Sequence, residues 1–189
     1  LQNLKIFDPA CGSGNFLIIA YKELRKLEML IFKEGGLLIS PSIKLTQFYG
    51  IELDDFAHEV AILSLWLAEH QMNVLFKKEF GTVPPALPLQ DGGNIVHGNA
   101  TRLNWEEVCP KNDGDEIYIL GNPPYLGSSR QSKEQKEDMN FLFQNFTNYK
   151  SLDYIACWFF KGAEYIKNIN AKCSFVSTNS IAQGEQVSI

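Results

Sequence analysis

No stretch of this chain approaches the roughly eighteen uninterrupted apolar residues of a membrane-spanning helix. The N-terminus lacks a basic region followed by an apolar core, so no signal peptide is expected. A Gly-x-Ser-x-Gly nucleophile elbow is absent, and so is a phosphate loop ending in Gly-Lys-Ser/Thr. Histidine is scarce. His58, His70 and His97 fall at no metal-ligand spacing, and neither do Cys11, Cys109, Cys157 and Cys173. No metal is therefore expected, and the cysteines read as reduced thiols of a cytoplasmic protein. Positive charge is also short. A net charge of -5 argues against this segment alone gripping a nucleic-acid backbone, which rewards clustered Lys and Arg.

What is present is a core. Of 189 residues, 45% are apolar and 12% aromatic, which suits one domain of ordinary size. Lys5 to Asp8 reads as the end of a short strand, entering a turn at Pro9 to Gly14. From Phe16 to about Phe32 apolar residues recur at helical spacing, and Gly35-Gly36 ends that helix. Leu45 to Ile51 predicts a second strand, with Glu52 at its C-terminal edge. Asp54 or Asp55 is placed to cap the next helix, which runs to about Lys78. Residues 81–93, rich in Pro and Gly, form a connection. Asn94 to His97 predicts a third strand, Asn104 to Cys109 a short helix and Ile117 to Leu120 a fourth strand. Residues 126–150 are polar and aromatic, with no clean strand. Leu152 to Ile169 predicts a helix and Cys173 to Ser177 a fifth strand. Leu1 stands so close to the first strand that the chain reads as cut from something longer, or trimmed by disorder.

Strands alternating with helices predict an α/β fold, a mostly parallel sheet with helices on both faces. Open sheets of this kind bind ligands outside the carboxyl ends of their strands. Asp8, Glu52, Asn99 and Asn122 all fall at such ends. Gly12 and Gly14 let the backbone turn tightly and approach a ligand, and the helix behind them offers free N–H groups. An acid at Asp8 suits an amine-bearing ligand better than a phosphate. Glu52 lies further along than the roughly 20 residues of a dinucleotide fingerprint, yet its place suits bidentate binding of ribose hydroxyls. Asn99 reads equally as a turn residue and as an amide contact to an adenine ring. Cys11 stands at a helix start, where a thiolate is stabilised, but the turn itself explains the position. Trp66, Trp158, Phe159 and Phe160 read as packing.

The second notable segment, Asn122-Pro123-Pro124-Tyr125, follows the apolar run Ile117 to Leu120. Two prolines stiffen it. Taken alone it reads as a rigid turn. Taken with the glycine turn, it resembles the class I amino-methyltransferases that use S-adenosylmethionine, above all the DNA adenine-N6 enzymes. Asp8 to Phe16 looks like their first motif and Asn122 to Tyr125 like their fourth. Asn122-Pro-Pro-Tyr-Leu-Gly, Gln135-Lys-Glu-Asp-Met139, Lys150-Ser-Leu-Asp-Tyr154 and Phe175 to Gln186 extend the likeness over nearly the whole chain. In these segments it is similar to the large fused type II restriction-modification enzymes of the MmeI kind.

That resemblance implies a Rossmann-like class I methyltransferase fold, incomplete at both ends. A cofactor-binding half is expected at 1–110 and a catalytic half at 115–189. By the family pattern Asp8, Pro9, Ala10, Cys11, Gly12 and Gly14 line the methionine part of S-adenosylmethionine. Glu52 holds its ribose, and Asn99 with Ala100 contacts its adenine. Asn122, Pro123, Pro124 and Tyr125 form the catalytic segment around a flipped adenine. Arg130 and Lys133 are candidates for DNA phosphate contacts, although residues 128–137 carry both signs and also read as a solvated loop or helix start. Asp153 reads either as a support behind the cofactor pocket or as a helix cap. The implied partner is double-stranded DNA, bound through additional domains, with nuclease and target recognition domains in the same polypeptide. The activity of this segment alone is expected to be small. The competing expectations are methylation of RNA adenine or of protein glutamine, a non-catalytic binding module, and a dinucleotide-dependent oxidoreductase.

Overall fold

The computed structural model describes residues 1–35, 41–81 and 93–183. Five strands form one parallel sheet: β1 (Leu4–Asp8), β2 (Phe48–Glu52), β3 (Asn94–His97), β4 (Glu116–Gly121) and β5 (Ala171–Phe175). Their order is β3-β2-β1-β4-β5. Ile6 lies opposite both Phe48 and Tyr118, Gly50 opposite Ile95, and Ile119 opposite Cys173. Parallel neighbours need crossovers. The sequence supplies α1 (Asn15–Gly35) and α2 (Asp55–Phe80), then α3 (Trp105–Val108), α4 (Lys133–Phe143) and α5 (Ala156–Tyr165).

Alternate strand residues point to opposite faces. Ile6 and Phe48 pack with Leu17, Tyr21, Leu65 and Met72 of α1 and α2. Phe7, Ile51, Ile117 and Ile119 pack on the other face with Trp105, Met139, Cys157 and Trp158. Covering both faces explains why all five residues of β1 are buried. The chain moves from β1 outward to β2 and β3, then returns to β4 on the opposite side of β1. The order reverses there, so a crevice opens beyond the carboxyl ends of β1 and β4.

Asp54 caps α2 as expected, accepting the Ala57 N–H at 2.8 Å. Asn104 caps α3 in the same way. Glu28 of α1 is buried, pairs with Arg25 and accepts the N–H groups of Ser42 and Ile43, which fastens the approach to β2. α2 is apolar on two sides. Ala61, Leu65, Ala68, Met72 and Phe76 are buried, whereas Phe56, Leu63, Leu67 and Val74, at near-heptad spacing, are each more than half exposed. Among the described residues no helix is long and apolar enough to cross a membrane.

Some boundaries differ from expectation. Leu45–Gln47 form a short 3-10 turn, so β2 begins only at Phe48. β5 starts at Ala171 and ends at Phe175. α5 begins at Ala156 because Asp153 takes the N–H groups of Leu126 and Ile155 on its side chain and holds a turn. The polar region 126–150 contains a helix, α4. Ser132 caps it, with Gln135 completing a capping box. Gly36, most of the 81–93 connection and the Gly184 to Gln186 end of the last resembling segment lie outside the described residues.

Candidate active site

The turn after β1 is tied to β2 by two bonds. The Cys11 N–H donates to the Ile51 carbonyl at 3.1 Å, and the Gly12 N–H donates to Glu52 Oε2 at 2.7 Å. Glu52 Oε1 accepts the Asp54 N–H at 2.8 Å, so this carboxylate is held between the glycine turn and the start of α2. Gly12 and Gly14 have φ of 55° and 85°, the left-handed region that favours glycine. The two differ in surroundings. A Cβ on Gly12 would meet nothing within 4 Å, whereas one on Gly14 would press on Ala61 at 3.4 Å. Gly12 therefore borders open space, and Gly14 serves the turn and its packing. The Cys11 thiol lies in the core, and burial pushes its pKa far above the ordinary thiol range. That is the opposite of an activated nucleophile.

Asp8 is 1% exposed. Its Oδ1 accepts the Ala10 N–H at 3.0 Å, while its buried Oδ2 takes no hydrogen bond within the described structure. Burial pushes its pKa up to about 7; the Ala10 N–H works against that rise and the Glu52 charge adds to it. Asp8 lies so close to β4 that a Cβ on Gly121 would stand 2.4 Å from Asp8 Oδ1. Gly121→Ala is accordingly expected to destabilise the domain by about 1–3 kcal/mol, as overpacking does. Urea unfolding measures this, and an unchanged midpoint would contradict the close packing of Asp8 on β4.

Above these groups lies a cavity of about 580 Å³, within the range of small-molecule sites. Pro9, Ala10 and Gly12 form its floor at the β1 turn. Glu52 and Leu53 border it at the end of β2, and Asn99 and Ala100 at the end of β3. Asn122 and Pro124 enter after β4, Gln135 and Asp138 from α4, and Tyr154 and Trp158 from the start of α5. The Trp158 indole donates to the Pro9 carbonyl at 3.0 Å, so this tryptophan is both packing and cavity wall. Pro123 is buried, Tyr125 is 48% exposed, and neither borders the cavity. The loop after Tyr125 is fixed to α5: Leu126 donates to Asp153 at 2.8 Å, and Gln131 donates to the Leu126 and Leu152 carbonyls. Arg130 and Lys133 are exposed. Lys133 borders a separate surface groove with Arg102, Lys136 and Phe141.

Asp138 also borders the cavity, and the sequence pattern assigned it no role. It is 4% exposed. Its Oδ2 accepts from Asn99 Nδ2 at 3.0 Å and from the Tyr154 hydroxyl at 2.7 Å, and its Oδ1 accepts from Arg102 Nε at 2.6 Å. Burial alone would raise its pKa, but the bonds from Tyr154, Asn99 and Arg102 prevail and hold it below the usual carboxylate value. Asn99 in turn accepts the Thr101 N–H and hydroxyl on its Oδ1, at 2.9 and 2.8 Å. One signal was available in sequence: an acid immediately before Met139 and on the same helical face as Gln135.

The whole chain, residues 1–189, matches the family model described as MmeI, DNA-methyltransferase domain. It is 57% identical to "DNA methyltransferase A" of Bacillus subtilis (strain 168), over all of this chain and 22% of that protein. It is similar to the solved structure of the Type IIL restriction-modification enzyme MmeI in complex with DNA, with a TM-score of 0.88, 42% identity, and coverage of 99% of this chain and 26% of the other. The DrdV–DNA complex shares the fold, with a TM-score of 0.56 and 17% identity over 98% of this chain and 18% of the other. The chain thus spans about a quarter of the length of the first two relatives.

Proposed function

The chain belongs to the MmeI DNA-methyltransferase domain family, and on that premise we propose that it methylates the N6 amine of adenine in DNA, using S-adenosylmethionine, as part of a larger restriction-modification polypeptide. The supporting observation is one cavity that gathers Glu52, Asn99 and Asn122 from the ends of three parallel strands. The residues present suit that cofactor. Asp8 offers a buried carboxylate oxygen in need of a cation, which an ammonium satisfies. Open space over Gly12 lets a ligand lie against the backbone. Glu52 is oriented for ribose hydroxyls, and Asn99 and Ala100 border the place for an adenine. In this reading residues 1–110 supply most of the cofactor contacts, while residues 115–189 carry the catalytic segment and wall the cavity from α4 and the α5 entry.

When bound, S-adenosylmethionine supplies an activated methyl carbon. The protein's task is to present an amine whose lone pair is delocalised into its ring. Asn122 Oδ1 and the Pro123 carbonyl accept the two amino hydrogens, which localises the lone pair on nitrogen and supports the charge that develops there. Pro123 and Pro124 fix those oxygens, and Tyr125 gives the base a face on which to stack. Much of the rate then comes from alignment. The base must leave the duplex to reach Asn122.

Recognition and most of the DNA grip belong to other domains of the parent, with Arg130 and Lys133 adding phosphate contacts. The net charge of -5 fits that division. So does the exposed apolar stripe of α2, which a larger polypeptide would cover. A cytoplasmic location follows from the DNA substrate. The test is methyl transfer by the parent polypeptide onto duplex DNA, RNA and glutamine-bearing protein, with the product base identified by mass spectrometry. N6-methyladenine in DNA is expected. Methylation of RNA or glutamine instead would overturn the reading.

Cofactor binding should depend on pH. Asp8 must ionise to pair with an ammonium, so affinity should rise with pH up to about 7 and then level off. Stability of the ligand-free domain runs the other way. Asp8 holds its proton more tightly folded than unfolded, so stability falls as pH rises from its ordinary 3.8 to about 7. Asp8→Asn should therefore raise the melting temperature at pH 8 while weakening the cofactor. Melts and titrations across this range check both, and a pH-independent affinity would contradict the pairing.

A further inference from the structure

The adenine end of the cavity has a donor and acceptor arrangement that the resemblance does not supply. Asn99 is expected to meet the purine through its amide, but its oxygen is already spent. Thr101 donates to it twice, from its N–H and its hydroxyl, which fills both lone pairs of an amide oxygen. One Nδ2 hydrogen goes to Asp138. Only the second Nδ2 hydrogen remains, so Asn99 can donate to a ligand but cannot accept.

Asp138 has the complementary capacity. An ionised carboxylate offers about four acceptor positions, and three are taken, by Asn99, Tyr154 and Arg102. The side chain is nearly fully buried and borders the same cavity as Asn99 and Ala100. Its donors come from three segments: the β3 end, the turn after it and the entry to α5. They fix the carboxylate in place.

Building on the S-adenosylmethionine reading, we propose that Asp138 is the acceptor for the exocyclic amine of the cofactor's purine, while the free amide hydrogen of Asn99 donates to the adjacent ring nitrogen. The pair forms a donor beside an acceptor, which complements a 6-aminopurine. A 6-oxopurine reverses both groups: its oxygen faces a carboxylate, and its ring N–H faces another N–H. Asp138 is thus a specificity-determining residue for the nucleoside end of the cofactor.

The experiment is calorimetric titration of the chain with S-adenosylhomocysteine and with its deaminated analogue S-inosylhomocysteine. It is repeated on Asp138→Asn and, as a control that keeps the carboxylate, on Tyr154→Phe, with melting curves to confirm folding. The native chain should prefer the adenosyl ligand by at least ~100-fold, since sites built on buried hydrogen bonds reject mismatched partners strongly. Asp138→Asn should shrink that ratio to below ~10-fold, because an amide can turn a donor toward the purine oxygen. Tyr154→Phe should preserve it. If Asp138→Asn weakens both ligands equally, or leaves both unchanged, the inference is overturned and the cofactor reading stands. If the native chain binds neither ligand, the cofactor reading fails and takes the inference with it. If Asp138→Asn does not fold, the ratio in Tyr154→Phe and in Asn99→Ala decides. Asn99→Ala removes the donor and must shrink the ratio, and an unchanged ratio there refutes the pairing.

Discussion

Replacing Asn122 with alanine is expected to lower the methyl-transfer rate of the parent enzyme by at least ~10²-fold, the scale seen when one preorganised polar contact to a reacting centre is lost. Affinity for S-adenosylmethionine should hardly change. The separation follows from position. Asn122 is exposed at the cavity rim, after the last residue of β4. Among the described residues no hydrogen bond ties its side chain into the core, so its loss should cost little stability. In the proposed mechanism, what disappears is the acceptor that localises the lone pair on the target amine. Asn122→Asp keeps an acceptor and should retain more activity than the alanine variant. Steady-state kinetics with a cofactor titration separates rate from binding. Equal loss of rate and affinity would move Asn122 from the reaction to the cofactor, and an unchanged rate would remove it from the site.

Glu52→Ala carries the second large effect, on binding. Its carboxylate is held in place by the Gly12 and Asp54 N–H groups. A hydrogen bond to a charged group contributes roughly 1.5–3 kcal/mol, so losing two to a ribose should weaken S-adenosylmethionine by about 10²–10⁴-fold. Stability should fall by less than about 1.5 kcal/mol, since the two freed N–H groups lie at a half-open edge. A linked change is expected at Asp8. The Glu52 charge helps to raise the Asp8 pKa, so the variant should shift the Asp8 titration downward. Carbon-detected NMR of the aspartate carboxyl would follow it. An alanine variant with native affinity would place the ribose elsewhere.

Much of the fold was legible because its signals are local. The strand before the glycine turn, the Asp54 cap and the run from Ile117 to Leu120 each announce themselves within a few residues. α4 did not. It shows solvent a mostly polar face and buries little beyond Asp138, Met139 and Phe143, so its apolar periodicity is weak. The start expected at Leu152 for the helix before β5 differs for another reason. Asp153 reaches back to Leu126, a contact set by tertiary structure. The site was legible in part. Glu52, Asn99 and Asn122, which border the cavity, stood out as polar residues at strand ends, where a parallel sheet places its ligands; Asp8 stood out in the same way but is buried and is not part of the cavity lining. Gln135, Asp138 and Trp158 enter from helices on one face and Tyr154 from the turn before α5, and an acid within a polar helix looks like any surface acid. Its burial is visible only once Asn99, Arg102 and Tyr154 converge on it.

The cavity beyond β1, β2 and β3 is proposed to hold S-adenosylmethionine. Calorimetric titration of the folded chain with that cofactor, and in parallel with NAD, tests it most directly. One S-adenosylmethionine per chain is expected, strongly weakened in Glu52→Ala, with no heat from NAD. Binding of NAD alone, or an S-adenosylmethionine isotherm indifferent to Glu52, would contradict it.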